Sequence, residues 1–577
     1  MKIVVVGAGV AGLTAARDLA IHGYEVILLE ARDRIGGRIY SATASDGHTP
    51  VELGASYWEG FKSASFYQQY FSEEKDELKK AHTLRIDKKQ SLFYSTSAFV
   101  PSKDKLLEYC QIAEQIVSSM PEGKAFQTYI DEEIAKLELP DEQASWLRKL
   151  TIASLQQFST PLTQVGYGAG DRVISTHTAW NDEDAKYCLV TDGFDKVINQ
   201  LKEECLQYNV CIVLNNPVSK ITQHAQGVAV NAGEQTYEAD AIVCALPLGV
   251  LKAQKDSLFS PPLSNKKNQA INKMGIHDGV RIVLEFEGEP FWENPDNSFY
   301  IAIDKQEDVK YFRNGYMLNG KTILSTDSYT TLVREKKTES AIIECITNDL
   351  QHIAPHVIPK LKSIKIHDWT NDPYAKGAYP YETPQITTEV YEELNQPENG
   401  VYFAGADIHS AGFSAHNAYD SGEKCARKIH WDLERKIENE ALRKKLLNNF
   451  QKVREGESSI NFQNTGGGER GGLTYLIQAI YLKDDKLIDE CLNLHPDLDL
   501  RTNTGMTALM KAASDGNKTL VEKLLKAGAD PTVEDKSGVS YLGLANKTAI
   551  DYALMHNHEE IADLFKHHTD KKTKYRK

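Results

Sequence analysis

Apolar and polar positions alternate between two patterns at the start of the chain. Lys2–Val6 is a short β-branched run, Leu13–His22 carries Ala and Leu at helical spacing, and Tyr24–Leu29 is a second apolar run that stops at Glu30. Short Val- and Ile-rich runs read as buried strands and longer periodic ones as helices. The stretch therefore predicts strand, turn, helix and strand, the opening of a parallel βαβ unit. From about Ser72 to Trp146 the pattern becomes long, charged and helical, as in KDKLLEYCQIAEQIVSSM. Strand-like runs return at Val210–Leu214, Val228–Val230 and Ala241–Cys244, then at Val280–Phe286 and Tyr300–Ile303. The chain thus leaves its first domain and comes back, more than once. Ala426 to Arg454 is helix-forming and charged, and the glycine-rich SSINFQNTGGGERGG after it reads as a flexible linker.

Beyond the linker a short pattern recurs. Thr474-Tyr-Leu-Ile-Gln-Ala returns as Thr507-Ala-Leu-Met-Lys-Ala after 33 residues, and as Thr548-Ala-Ile-Asp-Tyr-Ala after 41, which is 33 plus an eight-residue insertion. The middle copy, GMTALMKAASDGNKTLVEKLLKAGADPTVED, resembles the ankyrin repeat, with Gly528 ending its second helix and Asp530-Pro531 opening the turn. Three repeats are about the minimum for a stacked core. The resemblance implies an all-α array over 472–567 that binds a protein partner, whose identity the residues do not disclose.

Composition narrows the field. Lys+Arg 66 against Asp+Glu 81 leaves a net charge of −15, with 41% hydrophobic and 25% charged residues. That describes a globular protein rather than a disordered chain. It argues against a broad nucleic-acid footprint, which needs a basic surface, and is compatible with attracting cations. The eight cysteines form no C-x-x-C pair, and the closest two, Cys205 and Cys211, are six apart. Neither a disulfide framework nor a metal site is read from them, and a reducing compartment is favoured. The best apolar run, AIVCALPLGVL, is too short to span a bilayer and contains Pro247. The expectation is a cytoplasmic protein without a membrane span, with export by a signal-less route left open.

Candidate chemistry begins at Gly7-Ala-Gly9-Val-Ala11-Gly12, a G-x-G-x-x-G between the first strand and helix. The first glycine permits the tight turn, the second lets the backbone approach a pyrophosphate, and the third lets the helix pack on the sheet. Phosphates then sit at the helix N-terminus, and Glu30 is placed to accept hydrogen bonds from a ribose. NAD and FAD both satisfy this pattern. The next run, Glu30-Ala-Arg32-Asp-Arg-Ile-Gly36-Gly37-Arg38, resembles the second glycine signature of the flavin-containing amine oxidase superfamily. That resemblance implies FAD, with Arg32, Gly36, Gly37 and Arg38 along its pyrophosphate. Val51–Gly60 is similar to the polyamine-oxidase segment that passes under the flavin ring, which places Gly54, Ala55, Ser56 and Tyr57 near it. Asn216–Ile221 resembles the strand whose valine, here Val218, meets the adenine. Ala239–Pro247, Glu289–Trp292, Trp369–Tyr379 and Val401–Asp407 continue the match, which spans roughly 1 to 430.

The implied fold class is α/β: a Rossmann-like FAD-binding domain with an α+β substrate domain, followed by the ankyrin array. The FAD-binding domain would comprise residues 1–71, 190–275 and 365–430. A helical part of the substrate domain would occupy 72–189 and its antiparallel sheet 276–364, with a charged helix and linker over 431–471. Family enzymes pass hydride from the α-carbon of an amine to flavin N5. The imine hydrolyses to an aldehyde, and oxygen reoxidises the flavin to give hydrogen peroxide. By motif position Tyr379 is one aromatic wall for the amine, while the opposite position falls on Ser414, next to Phe413 and Ala415. Ala378 stands where monoamine oxidases carry the cysteine that attaches the flavin, which implies non-covalent FAD. Glu59 matches an acidic position that faces the substrate's positive charge in plant-type polyamine oxidases. Arg281 occupies the family's usual lysine position near N5, and an arginine there is bulkier and holds its proton. Ala406 replaces an acidic residue, with Asp407 next to it on the ribityl side. Two alternatives stay open: an L-amino-acid oxidase on the same scaffold, and a catalytically weak flavoprotein that displays the ankyrin surface.

Overall fold

The computed structural model describes residues 1–61, 69–70, 83–85, 92–95, 101–121, 123–154, 163–166, 185–224, 227–296, 300–305, 308–353, 358–408, 414–464, 472–535 and 547–565. The chain divides into two compact units, Met1–His430 and Trp431–Lys577.

The first unit is built on a five-stranded parallel sheet in the order Val401–Phe403, Ala241–Cys244, Lys2–Val6, Glu25–Leu29 and Cys211–Val213. Its strands come from three distant stretches of chain, as the returning apolar runs require. Ile3, Val4 and Val5 of the central strand are fully buried, the pattern of a parallel sheet covered on both faces. Helix Val10–Ile21 packs against helix Asp195–Gln207. Arg17 sits at that junction, only 7% exposed, and its charge is matched by Asp18 and Glu204 and by the hydroxyl of Tyr419. Paired in this way, a buried guanidinium is tolerated. The antiparallel strands Val218–His224, Gly227–Ala232 and Gln235–Ala239 lie in a smaller sheet.

A six-stranded sheet forms the other half of this unit, in the order Leu361–Asp368, Val280–Phe286, Ile323–Thr326, Asp308–Asn314, Tyr300–Lys305 and Leu92–Ser95. Ile282, Leu284, Phe312 and Leu324 pack with Ile342, Ile346 and Leu350 of helix Glu339–Leu350. Helices Lys103–Ser118, Phe126–Ala135 and Asp141–Ser154 share a second core around Tyr109, Ile130 and Leu147. The stretch read as helical also contains strands, at Thr83–Arg85, Leu92–Ser95 and Ala185–Val190. Leu92–Ser95 is a strand because it pairs with Tyr300–Lys305, a distant partner that outweighs local pattern. The segment 71–82 lies outside the described residues.

The second unit is helical. Thr474, Thr507 and Thr548, the first residues of the recurring pattern, cap helices Tyr475–Tyr481, Ala508–Ser514 and Ala549–Met555. The hydroxyls of Thr474 and Thr507 accept the N–H of Ile477 and Met510, and the recurrence is therefore a capping signal. Gly528 ends helix Lys518–Ala527 at φ +106. Helix Ala415–Arg454 is longer than the charged run from Ala426 predicts. Its residues Leu446 and Phe450, in the stretch read as a charged helix, are fully buried in the core that holds Tyr475, Leu476 and Ile480. Residues 465–471 and 536–546 lie outside the described residues. Among the described residues no helix is long and apolar enough to cross a membrane.

Candidate active site

The first strand ends at Gly7, whose φ is +102 and whose N–H donates to the Leu29 carbonyl at 2.8 Å. Gly9 then opens helix Val10–Ile21, and no side chain caps it. A Cβ on Gly12 would stand 1.9 Å from the Gly7 oxygen, so only glycine lets the helix start against the turn, whereas a Cβ on Gly9 would meet nothing within 4 Å. Gly36 donates its N–H to Ala8 O at 2.8 Å, and Gly9 and Gly36 form a β-bridge. Gly37 follows, its Cβ position 3.3 Å from the Gly9 Cα. The two glycine turns are thus laid side by side over an uncapped helix N-terminus, with Ala11 buried in its first turn. Unpaired N–H groups, the helix dipole and an open face without Cβ atoms fit an anionic diphosphate.

Glu30 is 6% exposed; its two oxygens accept the N–H of Ala8 at 2.8 Å and of Arg32 at 2.9 Å. Each oxygen keeps a lone pair for a hydroxyl donor. Asn216 N–H donates to Glu30 O, which brings the strand of Val218 alongside. Arg32, expected along the pyrophosphate, gives its fork to Asp372, with bonds of 3.0 and 2.7 Å.

Arg38 links the glycine turns to the C-terminal segments. It pairs with Asp407 at 2.5 Å and donates to Ala378 O at 3.0 Å, while the other Asp407 oxygen accepts Leu248 N–H at 2.8 Å. Asp407 and Ala406 are both buried in the short turn Ala406–Ile408. The neighbouring segment 53–56 is held from several sides. Trp369 Nε1 donates to Leu53 O at 2.7 Å, Arg281 donates to Gly54 O at 3.2 Å, and Ala55 N–H donates to Arg38 O at 3.1 Å. Ala55 is exposed. Next to it, the hydroxyl of Ser56 is buried without a hydrogen-bond partner, a state that a bound polar ligand would relieve. Burial pushes the Glu52 carboxyl up to about 7, against the Phe194 N–H, the Ser41 hydroxyl and the charge of Arg281.

Tyr379 is 37% exposed, and one side of its ring rests on His277 with centroids 4.7 Å apart. Tyr57 and Glu59 belong to strand Tyr57–Phe61, and their side chains lie outside the described residues, as does Phe413. Ser414, at the position opposite Tyr379 by motif, is engaged locally. Its hydroxyl donates to Asn417 Oδ1 at 2.6 Å and meets His416 Nδ1 at 2.5 Å, next to Ala415 at the start of the long helix.

Sequence reading passed over Asp372 and His277. Asp372 lies inside the matched Trp369–Tyr379 segment, so a search for the acidic partner of Arg32 could have found it. His277 carries no such signal. It is fully buried, and burial lowers its imidazole to about 3. An unfolded histidine titrates near 6.5. Between pH 6.5 and about 3 only the unfolded chain takes up this proton, so the contribution is full above 6.5 and is lost as pH falls. The slope is about 1.4 kcal/mol per pH unit. His277→Phe is expected to remove it, seen as a smaller loss of denaturation midpoint between pH 6 and pH 4 than in the parent protein. Equal losses in the two proteins would contradict this.

Comparison with known proteins agrees with the geometry. A family model described as flavin containing amine oxidoreductase matches residues 10–430, and one described as ankyrin repeats (3 copies) matches 439–535 and 476–575. Polyamine oxidase 2 of Arabidopsis thaliana is 27% identical over 464 residues, covering 74% of this chain and 88% of that protein. Polyamine oxidase 3 of Oryza sativa subsp. japonica is 28% identical, covering 74% and 89%. Lysine-specific histone demethylase 1 homolog 2 of Arabidopsis thaliana is 28% identical, over 74% of this chain but 58% of that protein. The Met1–His430 unit, with its paired glycine turns, belongs to the flavin-containing amine oxidoreductases and uses FAD, and ankyrin repeats follow it in the same chain.

Proposed function

We propose that the protein oxidises a polyamine-type amine at a carbon next to nitrogen, with FAD bound non-covalently, and releases an imine that water hydrolyses. FAD, when bound, supplies the hydride acceptor; orientation, charge and exclusion of water fall to the protein. Gly9, Gly36 and Gly37 would take the diphosphate and Glu30 a ribose. Arg38, steadied by Asp407, would add positive charge beside them. Ala55 and Ser56 would lie under the ring, with the orphaned Ser56 hydroxyl donating to it. Tyr379 would form one wall for the amine, and Glu59 would draw a cationic substrate towards it.

The observation that carries this reading is the junction at Gly54 and Arg38. Arg281 reaches Gly54 from the six-stranded sheet, and Arg38 reaches Ala378, the neighbour of Tyr379, from the glycine turn. Diphosphate cradle, ring segment and aromatic wall therefore share one set of contacts. The near-complete coverage of the polyamine oxidases, against little more than half of the demethylase, favours a small amine over a large protein substrate.

Anaerobic bleaching of the flavin by spermidine, but not by leucine, is the expected result. Bleaching by leucine alone would instead support an amino-acid oxidase, and none by any amine the scaffold alternative. Arg281 keeps a fixed charge where the family places a titratable amine. Arg281→Lys is therefore expected to raise peroxide formation about tenfold while the anaerobic bleaching rate changes less than about twofold. An equal change in both rates would remove Arg281 from the oxygen step. The ankyrin unit would serve to hold a protein partner, outside the chemistry.

A further inference from the structure

Residues 275–279 and 377–381 are packed closer than side chains normally allow. Gly275 and Ile276 pair with Tyr381 and Pro380, His277 N–H donates to Tyr379 O at 2.9 Å, and Ala378 N–H donates to His277 O at 2.9 Å. A Cβ on Gly275 would lie 2.1 Å from the Tyr381 ring, and one on Gly279 would lie 2.3 Å from the Ala378 Cβ. Glycine on either side thus brings the two backbones together around one large side chain, that of His277. Its imidazole is fully buried, with the Tyr379 ring centroid at 4.7 Å and the Tyr381 centroid at 4.6 Å.

The two tyrosines differ. Tyr381 is 8% exposed and its hydroxyl donates to Gln164 at 3.3 Å, whereas Tyr379 is 37% exposed. A tyrosine that exposed has open χ angles unless something behind it holds the ring. We propose that His277 is a positioning residue for the amine pocket, an uncharged aromatic backing that fixes the Tyr379 ring and leaves its exposed face for the substrate. This rests on the reading of Tyr379 as a pocket wall. An imidazolium behind the ring would oppose a cationic amine in front of it, and burial keeps the imidazole neutral. A flat, neutral ring is therefore the property that matters, and phenylalanine shares it.

The test uses the full-length holoenzyme. It measures KM and kcat for spermidine by dye-coupled turnover, and the Kd of 1,8-diaminooctane from its perturbation of the flavin spectrum. His277→Ala is expected to raise KM and the diamine Kd about tenfold, with kcat changed less than about twofold. His277→Phe is expected to bring both constants back to within about threefold of the parent. In a Tyr379→Ala background, His277→Ala is expected to add nothing further. Equal losses in His277→Ala and His277→Phe at an unchanged flavin spectrum would overturn the backing role, as would an undiminished effect without Tyr379. A parent flavin that no amine bleaches would sink the amine-oxidase reading itself. Inert His277 variants of an enzyme that amines do bleach would sink only this inference.

Discussion

Gly9→Ala is expected to purify as a folded, colourless protein, and Gly12→Ala as one whose fold is itself weakened. The two glycines stand three residues apart in one turn, and their surroundings separate the outcomes. Gly9 has φ −74, a value open to any residue, and its added methyl would meet no atom within 4 Å. The apo protein should therefore keep its melting point, as surface substitutions usually do to within about 0.5 kcal/mol. The methyl would instead occupy the space where a diphosphate must approach the backbone. Hydrogen bonds to charged groups contribute about 1.5–3 kcal/mol each. Losing two would weaken FAD binding more than about 100-fold. Gly12→Ala meets backbone: its methyl would sit 1.9 Å from Gly7 O and 3.3 Å from the Ala245 Cβ. Gly7 is itself tied to the next strand, its N–H donating to Leu29 O at 2.8 Å. Overpacking of this kind costs about 1–3 kcal/mol, and here the strained atoms lie at the end of the central strand. Flavin absorbance per protein, after reconstitution with excess FAD, and the melting point of the stripped protein measure the two effects. Full flavin occupancy in Gly9→Ala would show that this face of the turn is not the diphosphate site.

Much of this arrangement was legible in the residues, and what was not has physical reasons. The βαβ opening was readable because a central parallel strand must be apolar on both faces, and Ile3–Val6 is. The ankyrin helices were readable because each must start with a cap, and Thr474, Thr507 and Thr548 repeat at the caps. Leu446 and Phe450 were hidden for the opposite reason: an i, i+4 apolar pair is enough to seat a helix, but it lies in LRKKLLNNFQK, where charge dominates the impression. The Arg32–Asp372 pair joins residues 340 apart, and local pattern carries no information on such a pairing. His277 was invisible because a lone histidine in Gly-Ile-His-Asp-Gly carries no motif. Its burial is made by the approach of 377–381, which only the glycines on either side permit. The local bonds of the Ser414 hydroxyl to His416 and Asn417 at the helix start were likewise not readable from motif position.

Arg38→Met is expected to cost more stability than Asp407→Asn, although the two side chains form one ion pair. The asymmetry follows from where each end sits. The Asp407 side chain is 4% exposed and that of Arg38 is 26% exposed. Without Arg38 the carboxylate keeps its bond from Leu248 N–H but loses its counter-charge in a buried site. Breaking a buried pair from that side costs about 3–5 kcal/mol. Asp407→Asn leaves an amide oxygen for Leu248 N–H, and it strands a guanidinium that water can reach. About 1–2 kcal/mol is the corresponding loss. The double variant should lie close to Asp407→Asn alone, since once the carboxylate is gone Arg38 has little left to neutralise there. The expected coupling therefore equals the Arg38→Met loss itself, about 3–5 kcal/mol, well outside the few tenths seen for independent sites. Melting of the flavin-free proteins isolates this term from any loss of diphosphate binding, which Arg38→Met should show in addition. Additive melting shifts would mean that the pair is a surface contact of little weight. Asp407 would then not be the residue that ties the glycine turn, through Arg38, to Leu248 and the C-terminal segment.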